Sequence, residues 1–323
     1  MRIFITGMTG FLGNELATKL LEKGHKLGTL VRNIAASDRS MASNTEAMIR
    51  GERKKGVSYY YGDLTDFVNI YDTLKDFKPN VIIHLGAQTS VAYSFTHTFE
   101  VFKVNFLGAA NMAEAARRIV PDLKRFIFSG SVEAYGIQTK FPIKETAELN
   151  AASPYGVAKI AAEKHLKYLY QAYGFPVIIF RNANSYGRKH NHQFVIESTI
   201  YQMYQGKSPI NLGDPTPIRD FVFEPDLLAA YVLAVENNDK NLLGESINIG
   251  TGKVISIRGL AEKITKITGY KGSIKWNSFP KRALEIPRLQ VDNTKARKLL
   301  KWKPTVTLDE GLKITASYYY PTV

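Results

Sequence analysis

Short apolar runs alternate with segments of helical periodicity through the first half of the chain. The apolar runs predict five buried strands, at Ile3–Ile5, Leu27–Val31, Val81–Leu85, Arg125–Phe128 and Val177–Arg181. Between them, apolar residues recur at helical spacing and predict helices at Leu12–Lys23, Thr98–Ile119 and Pro154–Tyr173. This β-α-β-α alternation is typical of an α/β fold with a doubly wound parallel sheet.

The pattern changes after residue 183. Glycine, proline and asparagine become frequent and the predicted elements become shorter, so we expect a first domain over residues 1–183 and a smaller lobe, mainly residues 184–323. An apolar stretch within residues 221–247 is expected to return to the first domain. Residues 34–55 are polar and predict an exposed loop or helix. No run of about 18 apolar residues occurs, so no membrane span is predicted.

Composition and charge narrow the class of protein. The 323 residues include no cysteine, which excludes disulfide scaffolds, thiol nucleophiles and thiolate metal sites and favours a cytoplasmic location. The chain opens on a strand rather than on a signal-peptide pattern. The net charge of +14 is compatible with nucleic acid, a membrane surface or an anionic small substrate. Because the basic residues do not form one block, we favour a solvated basic surface, with a field that attracts phosphates as the functional alternative.

A glycine-rich loop follows the first predicted strand and opens the first predicted helix. Gly7, Gly10 and Gly13 have the spacing Gly-x-x-Gly-x-x-Gly. Glycines so placed permit a tight turn and a close approach of the backbone to a pyrophosphate, and the helix N-terminus supplies free N–H groups. We therefore predict a dinucleotide coenzyme here, with Phe11 and Leu12 also in contact with it.

The residue at the end of the second strand bears on which coenzyme is used. An acidic residue there would bind the ribose 2′-hydroxyl of NAD. The chain has Arg32 instead, which can pair with a 2′-phosphate, so we predict NADP, with NAD as the alternative. Asp63 and Leu64, both expected to contact the coenzyme, follow Tyr61-Gly62, where a further strand is expected to end between Leu27–Val31 and Val81–Leu85. Asp63 either accepts a hydrogen bond from the adenine amino group or caps a helix.

A tyrosine and a lysine, Tyr155 and Lys159, are spaced i and i+4 in the third predicted helix. On a helix they share one face. A lysine ammonium favours phenolate over phenol, so we expect Lys159 to lower the pKa of Tyr155 toward working pH. Tyr155 is then a base that can take a hydroxyl proton as a hydride leaves the same carbon.

Further motifs occur in the order known from one enzyme family. They are Thr6–Gly13, Asp63-Leu64, His84–Gln88, Asn105–Gly108, Phe126–Gly136, Tyr155–Lys159, Arg181–Gly187, Arg219–Phe221 and Asn248–Gly250. On these, nearly the whole chain resembles the extended short-chain dehydrogenases/reductases of the nucleotide-sugar epimerase/dehydratase group. The resemblance implies a Rossmann-type domain that binds NAD(P) and a C-terminal lobe that binds a nucleoside-diphosphate sugar. It also implies a homodimer built on the helices near Thr98–Ile119 and Pro154–Tyr173.

The same resemblance gives roles to two residues after the fourth predicted strand. By position, Ser131 would hydrogen-bond the C4 oxygen of the sugar, although by chemistry alone Ser129 is equally suitable. Glu133 stands where 4,6-dehydratases carry the glutamate that removes the C5 proton, whereas simple 4-epimerases usually carry a small or neutral residue. Some 4-ketoreductases of GDP-deoxysugars also carry an acidic residue there. We therefore predict a 4,6-dehydratase, with a 4-epimerase or a 4-ketoreductase as alternatives.

Other positions point to the substrate. The segment Ala87–Phe95 resembles the branch of GDP-mannose 4,6-dehydratases and GDP-4-keto-6-deoxysugar reductases, and Gln88 within it is expected to contact substrate. Arg219 and Arg282 match the arginines that bind the diphosphate, for which a guanidinium fork is well shaped. Asn184 matches an asparagine near the diphosphate.

One departure from the family pattern is Arg188, at a position usually held by proline. It opens a basic run, Arg188–His192, whose two histidines lack a nearby carboxylate or cysteine, so we predict no metal site. The charge also permits a different class, a non-catalytic NAD(P)-dependent protein that binds nucleic acid. The intact Ser-Tyr-Lys set argues against that class, and we predict neither a nucleic-acid nor a membrane partner.

Overall fold

The computed structural model describes residues 1–32, 55–188 and 192–320. The polar segment 34–55, predicted to be an exposed loop or helix, lies outside the described residues except for Lys55. Three residues of the basic run that begins at Arg188 also lie outside them.

Parallel strands form the centre of the molecule. The strands, in chain order, are β1 (Arg2–Thr6), β2 (Lys26–Val31), β3 (Val57–Tyr61), β4 (Val81–His84), β5 (Arg125–Ser131), β6 (Val177–Asn182), β7 (Asn184–Tyr186), β8 (Ile210–Asn211), β9 (Ile218–Phe223), β10 (Ser246–Ile249), β11 (Val254–Ser256), β12 (Ile274–Lys275) and β13 (Arg288–Leu289). A seven-stranded sheet has the order β10-β6-β5-β4-β1-β2-β3, and all its neighbours pair in parallel. This confirms the predicted α/β class and doubly wound sheet.

Helices cover both faces of this sheet. They are α1 (Phe11–Glu22), α2 (Phe67–Phe77), α3 (Val91–Ser94), α4 (Thr98–Phe102), α5 (Gly108–Ile119), α6 (Pro154–Tyr173), α7 (Val195–Tyr204), α8 (Glu224–Glu236), α9 (Ile257–Thr268), α10 (Thr294–Leu300) and α11 (Leu308–Ser317). The helix predicted over Thr98–Ile119 is interrupted by a wide π-helical turn at Lys103–Leu107, between α4 and α5. No helix among the described residues is long and apolar enough to cross a membrane.

Alternate residues of β1 show why the strands read as continuous apolar runs. Ile3 and Ile5 lie in one buried cluster, which includes Leu16 of α1 and Leu227 of α8. Phe4 lies in the cluster on the other face. Because both faces are buried, both sets of side chains are apolar. Helix α8 thus packs on the seven-stranded sheet, and β10, which follows it, pairs with β6.

A smaller arrangement of strands lies in the C-terminal part of the chain. Strand β9 pairs in parallel with β7 and β13 and antiparallel with β11, while β8 pairs with β12. Its buried cluster joins side chains of α7, α9 and α11, among them Ile200, Ile264 and Leu312. Arg219 lies on β9, so this part of the fold carries one of the predicted diphosphate ligands.

Candidate active site

The loop between β1 and α1 has the shape that its glycines predict. Gly7 has a φ of 70°, and a Cβ atom on it would lie 2.8 Å from the backbone nitrogen of Gly86. A Cβ atom on Gly13 would lie 2.2 Å from the carbonyl oxygen of Gly7. Helix α1 begins after Gly10 without a side-chain cap, so its first N–H groups are directed at the loop. A pyrophosphate fits this glycine-lined cradle at a helix N-terminus.

Three further residues predicted to bind the coenzyme follow the carboxyl ends of β2 and β3, at the same end of the parallel sheet as the glycine loop. Arg32 is exposed directly after β2. The carboxylate of Asp63 accepts from the backbone nitrogen and the hydroxyl of Thr65, at 2.8 and 2.7 Å. Burial acts to raise the pKa of Asp63, but the bonds from Thr65 and the charge of Arg32 lower it overall. Leu64 packs against Gly86, which follows β4: a Cβ atom on Gly86 would lie 2.7 Å from Leu64 Cδ1.

The alternative role of Asp63, as a helix N-cap, is excluded by the structure. The N-cap of α2 is Asp66, whose side chain accepts from the backbone nitrogen of Asn69. The side chain of Asp63 instead forms a turn with Thr65 two residues later. Its negative charge therefore stays close to Arg32.

Helix α6 positions the tyrosine and lysine. Ser153 caps the helix by accepting from the backbone nitrogen of Gly156 at 3.1 Å, and Pro154 opens its first turn. Tyr155 and Lys159 follow one turn apart and are 8% and 4% exposed. Lys159 Nζ donates to the carbonyl oxygen of Ser129 at 2.8 Å and lies 5.8 Å from the centre of the Tyr155 ring.

The predicted lowering of the pKa of Tyr155 by Lys159 is wrong for the chain alone. Burial raises the pKa of Tyr155, the hydrogen bond with the Ser131 hydroxyl opposes this, and the charge of Glu133 adds to the rise. Burial also lowers the pKa of Lys159 to about 7. Spacing shows that two residues share a helix face, but it does not show how much solvent each loses, and desolvation dominates here.

Strand β5 carries the other catalytic candidates at its carboxyl end. The Ser131 hydroxyl accepts from the backbone nitrogen of Glu133 at 3.2 Å and caps the short turn Val132–Tyr135. The same hydroxyl lies close enough to Tyr155 to oppose the rise in the pKa of the phenol. Ser129 Oγ, in contrast, accepts from Asn182 Nδ2 at 3.0 Å. The structure thus brings Ser131, rather than Ser129, to the tyrosine.

Glu133 is buried and lies within the electrostatic reach of the two predicted diphosphate arginines. Burial raises the pKa of Glu133, while the charges of Arg219 and Arg282 oppose the rise. A carboxyl group with a raised pKa exchanges protons more readily near neutral pH. The site therefore brings a phenol and an ammonium group from α6 together with a hydroxyl and a carboxyl group at the carboxyl end of β5.

The sequence analysis missed Glu285, which joins both arginines. Glu285 Oε1 lies 2.7 Å from Arg219 Nη2, and Glu285 Oε2 lies 3.5 Å from Arg282 Nη1. Its position three residues after Arg282 was the available signal, but the contact with Arg219 crosses from β9 to a distant loop. Asn184 lies on β7, and its Oδ1 atom is buried without a hydrogen-bond partner among the described residues.

Gln88 is held on another side of the site. Its backbone nitrogen donates to Asn105 Oδ1 at 2.7 Å, and its side chain donates to Glu100 at 3.4 Å. Glu100 also accepts from the Tyr93 hydroxyl at 2.6 Å. Within the described residues, no hydrogen bond or ion pair joins Gln88 to Glu133 or its arginines.

A buried polar network supports the turn that carries Glu133. Tyr135, the last residue of that turn, donates to Asn248 Oδ1 at 2.7 Å and accepts from Arg181 Nη1 at 2.8 Å. Arg181 is paired with the buried carboxylate of Glu163. Because every member has a partner, the network fixes the turn rather than costing stability. Sequence reasoning missed Tyr135 because its partners come from distant strands.

The glycine cradle and the Ser-Tyr-Lys set at the ends of parallel strands define an enzyme of the short-chain dehydrogenase/reductase type. Residues 4–315 match the family described as GDP-mannose 4,6 dehydratase. The UDP-glucose 4-epimerase of Mycolicibacterium smegmatis is 31% identical, over 99% of this chain and 98% of its own. Human GDP-mannose 4,6 dehydratase is 30% identical, over 95% and 88%. The chain belongs to this family of NAD(P)-dependent nucleotide-sugar epimerases and dehydratases, which confirms the resemblance.

Solved structures agree with this assignment. The UDP-glucose 4-epimerase of Thermotoga maritima with UDP-glucose superposes with a TM-score of 0.85 at 30% identity, covering 100% of this chain and 99% of that one. The UDP-glucose 4-epimerase of Thermus thermophilus, in complex with NAD, gives a TM-score of 0.85 at 26% identity and covers 100% of both chains.

Proposed function

We propose that the chain is an NADP-dependent 4,6-dehydratase of a nucleoside-diphosphate sugar, with a GDP-mannose-like substrate. The observation that carries this proposal is Glu133, a buried carboxyl group with a raised pKa. It is close enough to Tyr155 for its charge to raise the pKa of the phenol. An acid-base group beside the tyrosine is what a second proton transfer on the same sugar needs.

The coenzyme would be held by the loop of Gly7, Gly10, Phe11, Leu12 and Gly13. Arg32 would pair with the 2′-phosphate, while Asp63 and Leu64 would lie by the adenine. When bound, a nicotinamide coenzyme supplies reversible hydride transfer at C4 of the sugar. NAD is the alternative, and it is the coenzyme in the Thermus thermophilus relative.

The chain's own residues would move the protons. Tyr155 would take the proton of the C4 hydroxyl, while Ser131 donates to the same oxygen and Lys159 holds the phenol in place. A C4 ketone acidifies the neighbouring C5–H bond, and Glu133 would take that proton. The electron pair left at C5 forms the C5–C6 double bond as the C6 oxygen leaves, and Glu133 returns its proton to that oxygen, which departs as water. One carboxyl group thus serves as base and then as acid. C6 then needs the hydride that the reduced coenzyme holds, and Tyr155 would return a proton to C5, which completes the 4-keto-6-deoxy sugar.

The diphosphate would be bound by Arg219 and Arg282, with Asn184 beside it. Arginine forks bind phosphate oxygens in pairs. The Oδ1 atom of Asn184, which has no hydrogen-bond partner among the described residues, would accept from a sugar or ribose hydroxyl. Glu285 now engages both arginines, so the diphosphate must share or displace that carboxylate. Gln88 stays a proposed substrate contact from the family pattern.

A second candidate function is a 4-epimerase, because similar relatives carry the name UDP-glucose 4-epimerase. An epimerase would use Tyr155, Ser131 and Lys159 in the same way. It has no proton to remove at C5, however, and would leave Glu133 without a role in proton transfer.

We also propose a homodimer formed by α4, α5 and α6. Large apolar side chains are exposed on this face: Phe99 is 87% exposed, and Leu107 and Val157 are about half exposed. A second copy of the same helices would cover them.

Incubation with GDP-, UDP-, dTDP- and CDP-hexoses tests the proposed function. We expect one of them, with NADP present, to give a 4-keto-6-deoxy product identified by mass spectrometry as the loss of one water. Interconversion of C4 epimers without loss of water would instead establish the 4-epimerase.

A further inference from the structure

Arg188 has no part in the proposed proton transfers, yet it is one of the buried charges nearest the glycine loop. It follows Gly187 at the end of β7 and is 8% exposed. Burial lowers the pKa of Arg188, and the charge of Glu197 opposes this. Holding a guanidinium in such a place costs free energy unless its contacts compensate for the lost water.

Two phenyl rings enclose the guanidinium. Arg188 Cζ lies 4.4 Å from the centre of the Phe11 ring and 3.8 Å from the centre of the Phe194 ring. Phe11 is the first residue of α1, directly after Gly10, and Phe194 directly precedes α7. A guanidinium within about 6 Å of a ring is attracted to it, most strongly when water is excluded. Arg188 therefore joins the coenzyme cradle to the C-terminal lobe.

Hydrogen bonds fix the guanidinium between the rings. Nη1 donates to the carbonyl oxygen of Ser185 at 2.5 Å, and Nη2 donates to the Ser185 hydroxyl at 3.1 Å. Glu197 Oε1 accepts from the backbone nitrogens of Gly187 and Arg188, at 3.0 and 3.1 Å, and lies 3.4 Å from Nη1. Since Glu197 is fully buried, movement of Arg188 away from it would leave a buried carboxylate without its cation.

We propose that Arg188 is a positioning residue for the coenzyme. By stacking on Phe11, it holds the glycine loop against β7, and coenzyme affinity depends on that stack. The inference rests on the coenzyme site in the proposed function, but it does not depend on the sugar reaction. The proline usual at this position has no planar cation to stack, so the link is a feature of this chain.

A double-mutant cycle on coenzyme binding tests the proposal. The Kd for NADPH and for NADH is measured by fluorescence titration for the wild type, Phe11→Leu, Arg188→Lys and the double variant. Lysine keeps the charge beside Glu197 but lacks the planar fork. We expect each single change to raise the Kd for the preferred coenzyme about fivefold to thirtyfold, the range for loss of a desolvated cation–π contact. The double variant should bind no more weakly than the weaker single variant.

Two controls separate positioning from general loosening. Phe11→Tyr keeps an aromatic face and should weaken coenzyme binding less than Phe11→Leu does, which keeps the test decisive if Arg188→Lys does not fold. Arg125 is also buried, but it is the first residue of β5, at the amino ends of the parallel strands, whereas the glycine loop lies at their carboxyl ends. There it donates to the Val235 carbonyl oxygen at 3.3 Å. Arg125→Lys should lower the Tm and leave the Kd unchanged.

Several results would overturn the proposal. One is a wild-type Kd in Arg188→Lys, and another is a double variant whose Kd rises by the product of the two single increases. The others are a Kd raised equally by Arg125→Lys, or raised equally by Phe11→Tyr and Phe11→Leu. Failure of the proposed dehydratase would show itself separately, as absence of a 4-keto-6-deoxy product while the binding cycle stays coupled.

Discussion

Replacing Lys159 by methionine should stabilise the fold near neutral pH while it abolishes catalysis. The ammonium is buried, and its described hydrogen bond goes to one carbonyl oxygen, that of Ser129. Burial lowers its pKa from 10.5 to about 7. At about 1.4 kcal/mol per pKa unit, the charged form costs the folded state about 5 kcal/mol. Loss of the charged hydrogen bond offsets about 1.5–3 kcal/mol, so Lys159→Met should gain about 2–3.5 kcal/mol.

The pH dependence fixes the sign of this effect. Below pH 7 Lys159 is charged in both the folded and the unfolded chain, so the folded state bears the whole cost. Between pH 7 and 10.5 the folded chain binds fewer protons than the unfolded chain, and wild-type stability rises with pH by up to about 1.4 kcal/mol per unit. The advantage of Lys159→Met should therefore be greatest below pH 7, should shrink by up to about 1.4 kcal/mol per pH unit above it, and should disappear near about pH 9.

Urea unfolding of both proteins without added coenzyme, at about pH 6.5, 8 and 9.5, measures this difference in the free energy of unfolding. Lys164, exposed on the same helix, gives the matched control: Lys164→Met should change stability by less than about 0.5 kcal/mol at every pH. A difference between Lys159→Met and wild type that does not vary with pH would refute the reasoning, and so would a variant less stable throughout.

Three further predictions concern the coenzyme, the tyrosine and the assembly. Tyr155→Phe should lower kcat by about 10²–10⁴-fold with nucleotide-sugar binding retained, because it removes proton transfer; near-normal turnover would exclude Tyr155 as the base. Arg32→Ala should weaken NADPH binding by about 1–3 kcal/mol in titrations and leave NADH nearly unchanged, whereas equal losses would show that Arg32 does not contact the 2′-phosphate. Light scattering at micromolar concentration should give twice the 36.2 kDa chain mass, and Phe99→Glu should shift it to one chain; a monomeric wild type would contradict the dimer.

The five inner strands of the central sheet, β6, β5, β4, β1 and β2, were predictable because burial on both faces makes them largely apolar. The end of β5 was harder to predict: the apolar run stops at Phe128, but Ser129 and Ser131 continue the ladder opposite β6. The polar side chains at this end of the strand interrupt the apolar pattern on which the prediction rests, and they form part of the candidate site. The π-helical turn at Lys103–Leu107 had no sequence signal, since the apolar spacing runs through it.

The groups of the site were predictable one by one, but their mutual effects were not. Glycine spacing predicts a cradle because the cause is local backbone geometry. Glu285 bridging Arg219 and Arg282 depends on how a loop near residue 285 meets β9. The pKa of Tyr155 depends on burial by several strands and helices, which no local spacing contains.

The most direct test of the dehydratase is solvent-deuterium incorporation at C5. In deuterium oxide, with the nucleotide sugar found in the substrate screen, wild-type product should carry deuterium at C5, as seen by proton NMR. Glu133→Gln keeps the side-chain shape but removes the base, so it should bind substrate and coenzyme and yet give neither C5 exchange nor a 4-keto-6-deoxy product. No deuterium at C5 in wild-type product, together with full activity of Glu133→Gln, would contradict the dehydratase and favour a 4-epimerase or a 4-ketoreductase.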